Sequence, residues 1–339
     1  MPAIERYNIA MCNAPVRPAF NADGTLCNKT LQANIALCCA RIKHAAECCN
    51  AKVVVFPEFT FTGYQQMDYE GWLKASVTMP GPETEAFAEV AAATGTYVVI
   101  QAAETHPDIP GRYFLSSALL TPSGEVGMVY RKNYAISLRT SPNDVFTQYT
   151  RVFGESGFFP VYACELGNIG MLIGAEPHWP EAVRSLALNG AELIVNSVAS
   201  LNGVDYMQRE GAASVRGVRA FENQLYFAMA NVQGELAAAS ACFDYNGKSI
   251  AVEAAGDDDL VIAEIDITAL REARKKPATN FLAQLQPAIH SPVQQYPLWP
   301  SDVFAQAPAA DAIALLKVEQ DAWQRFLSAE DKHPLVREN

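Results

Sequence analysis

Three short segments place side chains with useful chemistry at the ends of predicted strands. The first is FPEF (56–59), which follows the β-branched run Val53–Phe56. Ligands gather at the carboxyl ends of strands in open α/β sheets. A carboxylate that phenylalanines partly shield from water is a stronger base, so Glu58 is a candidate general base. A glutamate that caps a helix or faces water is an equally good interpretation of this position taken alone.

The second segment is VYRKN (129–133), at the end of the second strand of a predicted hairpin. The compact ammonium group of Lys132 suits the stabilisation of an oxyanion that develops during a reaction. Taken alone, the same residues are more readily interpreted as an ordinary Arg-Lys pair on the surface.

The third segment joins a strand, a turn and the start of a helix. The buried strand in IGMLIGAE (169–176) stops at Gly174, and a helix begins near Pro180. An enzyme can present a nucleophile at such a turn, with backbone N–H groups behind it. The candidates for a substrate-binding pocket lie around this turn or follow the first segment: Tyr64, Ala175, Glu176, His178 and Trp179. Structural roles are the competing interpretations of His178 and Trp179.

Repeated alternation between strand and helix periodicity predicts an α/β fold that positions these segments. The helix predicted over 29–49, for example, carries one apolar stripe formed by Leu31, Ile35, Cys38, Ile42 and Ala45. We interpret residues 1–275 as one large α/β domain. The chain then becomes rich in Pro, Gln and Ser, and it ends in an amphipathic helix predicted over 311–327. We interpret 276–339 as a tail that packs on the domain or on a neighbouring subunit.

Composition excludes several classes of function. The 339 residues are 50% hydrophobic and 18% charged, which is typical of a globular protein. A net charge of −12 argues against nucleic acid or an anionic membrane as the main partner. The sequence shows neither a transmembrane run nor a signal peptide, so we expect a cytoplasmic protein. It also lacks zinc-type Cys/His spacing and a Gly-rich phosphate loop, so we expect neither a metal nor a cofactor.

The order of the motifs resembles the nitrilase superfamily, the carbon–nitrogen hydrolases. VFPE (55–58) matches the general-base motif, YRK (130–132) the lysine motif, and 170–184 the nucleophile motif and the segment after it. Supporting matches are NGAELI (189–194), RAFENQ (219–224), ANVQG (230–234) and Ser240. Each motif is weak alone, but together they follow the family's order over residues 5–275.

The resemblance implies a four-layer αββα sandwich, assembled as a homodimer or a higher homo-oligomer. It also implies a Cys-Glu-Lys triad acting on a small amide, carbamoyl or nitrile substrate. In this triad the cysteine attacks the substrate carbon, Glu58 moves protons and Lys132 stabilises the charged intermediate. Many members carry a second glutamate between the lysine and cysteine motifs, a stretch that here contains Asn143, Asp144 and Glu155.

The sequence departs from the family pattern at the nucleophile. Gly174 stands where the family has its cysteine, and glycine has no side chain. Three interpretations follow. The chain is a hydrolase whose replaced nucleophile leaves it inactive or able to trap substrate, or a natural homologue that uses Glu58 and Lys132 without a covalent intermediate, or a non-catalytic binding protein on the same scaffold. We favour the first, because the surrounding motifs are intact.

Overall fold

We describe the protein from a computed structural model. The structure describes residues 4–13, 15–135, 141–199, 210–232, 239–252, 260–294, 298–308 and 312–330. Within these ranges, no helix combines the length and the apolar character that crossing a membrane requires. The described residues also contain no group of three His, Cys, Asp or Glu side chains arranged to hold a metal ion.

The strands lie in two six-stranded sheets. In chain order they are β1 (Arg6–Cys12), β2 (Ala51–Val55), β3 (Tyr97–His106), β4 (Ile109–Leu120), β5 (Val126–Arg131), β6 (Val161–Cys164), β7 (Gly167–Ile173), β8 (Leu193–Val198), β9 (Tyr226–Asn231), β10 (Ala241–Phe243), β11 (Ser249–Val252) and β12 (Leu260–Asp266). The first sheet has the order β12-β1-β2-β3-β4-β5, and the second β11-β10-β9-β8-β7-β6. The central strands of each sheet are parallel, and the outer strands pair antiparallel.

Helices cover the sheets. They are α1 (Asn28–Cys49), α2 (Tyr69–Lys74), α3 (Pro82–Thr94), α4 (Phe146–Phe153), α5 (Pro180–Leu188), α6 (Glu210–Asn223), α7 (Ile267–Arg274), α8 (Pro287–Gln294) and α9 (Ala312–Glu330). The apolar stripe predicted for the first helix is confirmed, because its five residues are all buried in α1. The tail differs from its prediction, since α8 forms in a segment whose sequence shows little periodicity.

Strand β2 shows how the layers are held together. Val53 and Val55 pack in a core shared by the two sheets, whereas Val54 packs in a second core beneath α1 and α3. A strand buried on both faces has to be apolar throughout, which explains the β-branched run. The two sheets, flanked by helices, form the predicted α/β sandwich.

The tail is hydrogen-bonded to the domain. The N–H of Asp302 donates to the carbonyl of Asn143 at 2.9 Å, and the side chain of Asn143 donates to the carbonyl of Pro300 at 3.0 Å. The carboxylate of Asp302 accepts from the N–H and the hydroxyl of Thr147 at 2.9 and 2.6 Å. The segment 298–308 therefore lies against residues 143–147 of the domain.

Candidate active site

Glu58 and Lys132 form an ion pair between the two sheets. Glu58 follows β2 and Lys132 follows β5, and Lys132 Nζ lies 2.9 Å from Glu58 Oε1. Only 6% of Glu58 and 8% of Lys132 is exposed. The other carboxylate oxygen of Glu58 accepts from the N–H of Ala199, just after β8, at 2.8 Å. The pair is therefore held by the strand ends of both sheets, with little access to water.

Gly174 faces this pair. It follows β7 and has a φ of +58°, the left-handed region that glycine adopts without strain. A β-carbon at position 174 would lie 2.7 Å from Lys132 Nζ and about 3 Å from both carboxylate oxygens of Glu58. The missing side chain of residue 174 would therefore point directly at the ion pair. The two head groups thus occupy the space in front of the glycine.

The backbone of Gly174 is hydrogen-bonded to two buried polar residues of β8. The Gly174 N–H donates to the carbonyl of Ser197 at 2.7 Å, and the Asn196 side chain donates to the Gly174 carbonyl at 3.3 Å. Arg216 Nε donates in turn to Asn196 Oδ1 at 3.1 Å. The sequence analysis missed Asn196 and Arg216. An asparagine inside the apolar strand run 193–198 is the signal that could have identified the first of them.

Glu176, a candidate for substrate binding from the sequence, is hydrogen-bonded on both carboxylate oxygens inside the protein. Its side chain is fully buried. One carboxylate oxygen accepts from the hydroxyl of Tyr130 and from the N–H groups of Asn133 and Tyr134, at 2.6, 2.7 and 3.1 Å. The other accepts from the N–H of Ile173 at 2.8 Å. Glu176 therefore ties the segment after Lys132 to the turn that contains Gly174, and burial raises its pKa to about 7.

The remaining pocket candidates differ in their burial. Tyr64 is half-buried against Phe59, and burial and the charge of Glu58 raise its pKa. Ala175 is buried. His178 is half-buried, and its pKa is lowered by burial and by Arg216 and Arg219.

Trp179 lines a cavity together with Asn133 and Tyr134, the two residues after Lys132. Its ring stacks on Tyr134 at 5.0 Å, with 15° between the ring planes. The same cavity is lined by Asp144 and Trp299, neither of which the sequence analysis assigned to a pocket. No local signal marks Trp299, because it lies in the Pro- and Gln-rich segment.

This geometry can support several chemical steps. A carboxylate in contact with a lysine can accept a proton from a bound molecule, and the ammonium group can donate to a developing oxyanion. At position 174 there is no side chain that could attack a substrate.

Comparison with known proteins identifies the family of the chain. A family model described as carbon-nitrogen hydrolase matches residues 8–275. A nitrilase from Pyrococcus abyssi is 27% identical over 66% of this chain and 80% of its own length. An (R)-stereoselective amidase from a Pseudomonas species is 27% identical over 66% of this chain and 76% of its own.

A solved structure shares the fold. It is a double mutant of the amidase from Nesterenkonia sp. AN1 in complex with acrylamide. The two chains superpose with a TM-score of 0.63 at 18% identity, over 86% of this chain and 99% of the amidase. The chain therefore belongs to the carbon–nitrogen hydrolase family of the nitrilase superfamily.

Proposed function

We propose that this chain binds a small amide, carbamoyl or nitrile substrate at the Glu58–Lys132 pair and holds it without covalent turnover. One observation carries the proposal: the buried pair, with its 2.9 Å contact, lies directly in front of residue 174, which is glycine. The ammonium group of Lys132 would donate to the carbonyl oxygen of an amide or carbamoyl substrate, or to the nitrogen of a nitrile, and the carboxylate of Glu58 would accept from the amide N–H where there is one.

The resemblance at residues 170–184 supports the assignment of position 174 to the family's nucleophile. In the Nesterenkonia amidase, a mutant shows covalent addition of the acetamide moiety of fluoroacetamide at the active-site cysteine. A glycine at that position cannot form such an adduct. Substrate binding and charge stabilisation need only Glu58 and Lys132, so affinity should survive the loss of the nucleophile better than rate.

We expect the chain to bind short amides without releasing ammonia. Butyramide, benzamide and propionitrile are suitable probes, with binding followed by saturation-transfer NMR and turnover by an ammonia assay. Glu58→Gln and Lys132→Met should each weaken binding of the best probe at least about tenfold, since each removes a charge-assisted hydrogen bond. Glu47→Gln is the matched control, because Glu47 is exposed on α1, away from the pair.

Other outcomes would replace this proposal. Ammonia release by the chain as it stands, abolished by Glu58→Gln, would point to acid–base chemistry without a covalent intermediate. If no probe binds, and neither variant differs from the parent with any probe, the proposal fails and a non-catalytic binding role takes its place.

The same proposal includes a homo-oligomer. Leu188 on α5 and Val218 and Phe221 on α6 are large apolar side chains exposed on neighbouring helices. Exposed apolar patches of this kind mark contacts between proteins. Light scattering at micromolar concentration should give a mass at least twice the 36.8 kDa of the chain. A single species at the chain mass would contradict it.

A further inference from the structure

A cavity of about 770 Å³ lies between the domain and the tail. This volume is in the range of pockets that hold small molecules. Six of the described residues that line the cavity are aromatic: Tyr134, Phe146, Phe158, Phe159, Trp179 and Trp299. Phe146 stacks on Phe158 at 5.2 Å with 17° between the planes, much as Tyr134 stacks on Trp179. Two stacked pairs thus contribute to the wall of the cavity.

The charged groups of the cavity are all acidic in the part of the lining that the structure describes. They are Asp144, Glu155 and Glu319, and no lysine or arginine is among the described lining residues. Glu155 and Glu319 are exposed, whereas Asp144 is only 4% exposed. None of the three forms an ion pair with another described residue.

Asp144 is the group that most needs a partner. Its Oδ2 accepts from the N–H of Ser141 at 3.3 Å, while its Oδ1 is buried and accepts no hydrogen bond from a described residue. Burial raises the pKa of Asp144 to about 6, against the opposing charge of Arg112. The group is therefore ionised at pH 8. Arg112 itself donates to the carbonyl of Phe304. An ionised carboxylate at a buried position is costly, and a cation held in the cavity would reduce this cost through its charge.

We infer that this cavity binds an organic cation, a protonated amine that carries an apolar body. Aromatic faces attract ammonium groups through their negative quadrupole, and carboxylates supply the opposite charge. The apolar body of the ligand would be buried against the rings. An anionic ligand would meet three carboxylates, and a neutral one would add no charge to balance Glu155 and Glu319.

This cavity is distinct from the pair to which we assign amide binding. Its described lining contains neither Glu58 nor Lys132 nor Gly174. Instead the tail supplies Trp299, Leu315 and Glu319. The inference therefore does not depend on the proposed function, and each can fail without the other.

A charge series tests the inference. Phenethylamine, phenethyl alcohol and phenylacetate share an aromatic body and differ in charge. In calorimetric titrations of the full chain at pH 8, we expect phenethylamine to bind at least about tenfold more tightly than the alcohol. We expect no binding of phenylacetate. Equal affinity for the amine and the alcohol would overturn the inference, because the cavity would then be merely apolar.

Substitutions of residues that line the cavity test whether the amine binds there. Asp144→Asn should weaken amine binding at least about tenfold, and Glu319→Gln, on an exposed side chain, should weaken it by a smaller factor without risk to folding. Trp299→Leu keeps the site apolar but removes a ring, so the amine should lose more affinity than the alcohol. Trp323→Leu is its control, because Trp323 is exposed on α9 and does not line the cavity.

One further variant separates the two sites. Glu58→Gln should leave the affinity for phenethylamine unchanged. If it abolishes amine binding while Asp144→Asn and Glu319→Gln do not weaken it, the cation binds at the Glu58–Lys132 pair and the inference is wrong.

Discussion

Replacing Gly174 by cysteine is expected to give this chain an amide-hydrolysing activity that the glycine form lacks. In the resulting enzyme the thiol would lose its proton to Glu58, and the sulfur would attack the amide carbon. The C–N bond would break, ammonia would leave with the proton from Glu58, and water would hydrolyse the thioester. In serine proteases, removing the nucleophile of the catalytic triad costs on the order of a million-fold in turnover, so the gain should be at least about a thousandfold.

The structure shows the backbone strain and the crowding that Gly174→Cys would introduce. A cysteine at 174 has to adopt a φ near +58°, which costs about 1 kcal/mol for a residue with a β-carbon. Its β-carbon would lie too close to Lys132 Nζ, at 2.7 Å. The crowded atom is the end of a flexible side chain, so it can retreat. Gly174→Ala carries the same strain and crowding without a thiol, and is therefore the matched control.

Intact mass spectrometry and ammonia release decide the outcome. The cysteine variant should gain an acyl group on residue 174 and release ammonia from at least one amide, whereas the alanine variant should do neither. An inert, unmodified cysteine variant that is folded and still binds amides would show that position 174 is not the place of a nucleophile. The assignment from the motif order would then be withdrawn.

The juxtaposition at the centre of the site was implied by the family resemblance, and the positions of strand ends explain it. Glu58, Lys132 and Gly174 each follow a predicted strand, and strands that run in the same direction bring their carboxyl ends to one edge of a sheet. The β-branched run before Glu58 forms β2, and the apolar stripe predicted for the first helix is buried on α1. Glu58 and Lys132 follow strands of the first sheet, and Gly174 follows a strand of the second. Because the two sheets pack face to face, the three residues come together.

What was not predictable depends on contacts between distant segments. Glu176 was a candidate for substrate binding, but N–H groups of residues 133 and 134, about forty positions away, donate to its carboxylate. Asp144 and Trp299 line one cavity although more than 150 residues separate them, and no periodicity marks the segment around Trp299. A single sequence contains no local signal for contacts between residues so far apart along the chain.

Glu176→Gln is expected to destabilise the protein by about 2–3 kcal/mol at pH 5. The glutamine oxygen can still accept from Tyr130, Asn133 and Tyr134. Its amide nitrogen cannot accept from the N–H of Ile173, so a buried donor loses its partner. Urea unfolding measures the loss. Glu181→Gln is the control, because Glu181 lies in the same segment but is exposed, and it should cost well under 1 kcal/mol.

The pH dependence of this loss tests the state of the carboxyl group. Burial raises the pKa of Glu176 from its ordinary 4.5 to about 7 in the folded protein. The folded state then binds the proton more tightly than the unfolded state. The stabilisation is complete below pH 4.5 and is lost as the pH rises through 7. Glutamine does not titrate, so the difference in unfolding free energy between parent and variant should shrink by about 2 kcal/mol from pH 5 to pH 8.

If the difference in unfolding free energy between parent and variant grew with pH, the opposite conclusion would follow. Four donors surround the Glu176 carboxylate, and hydrogen bonds from donors favour the ionised form, whereas burial favours the neutral one. If the destabilisation by glutamine rises between pH 5 and pH 8, the donors outweigh burial and the group is ionised in the folded protein. Glu176 would then be a buried anion, and the charge of Lys132 would help to keep Glu176 ionised, since that charge lowers the pKa of the carboxyl group.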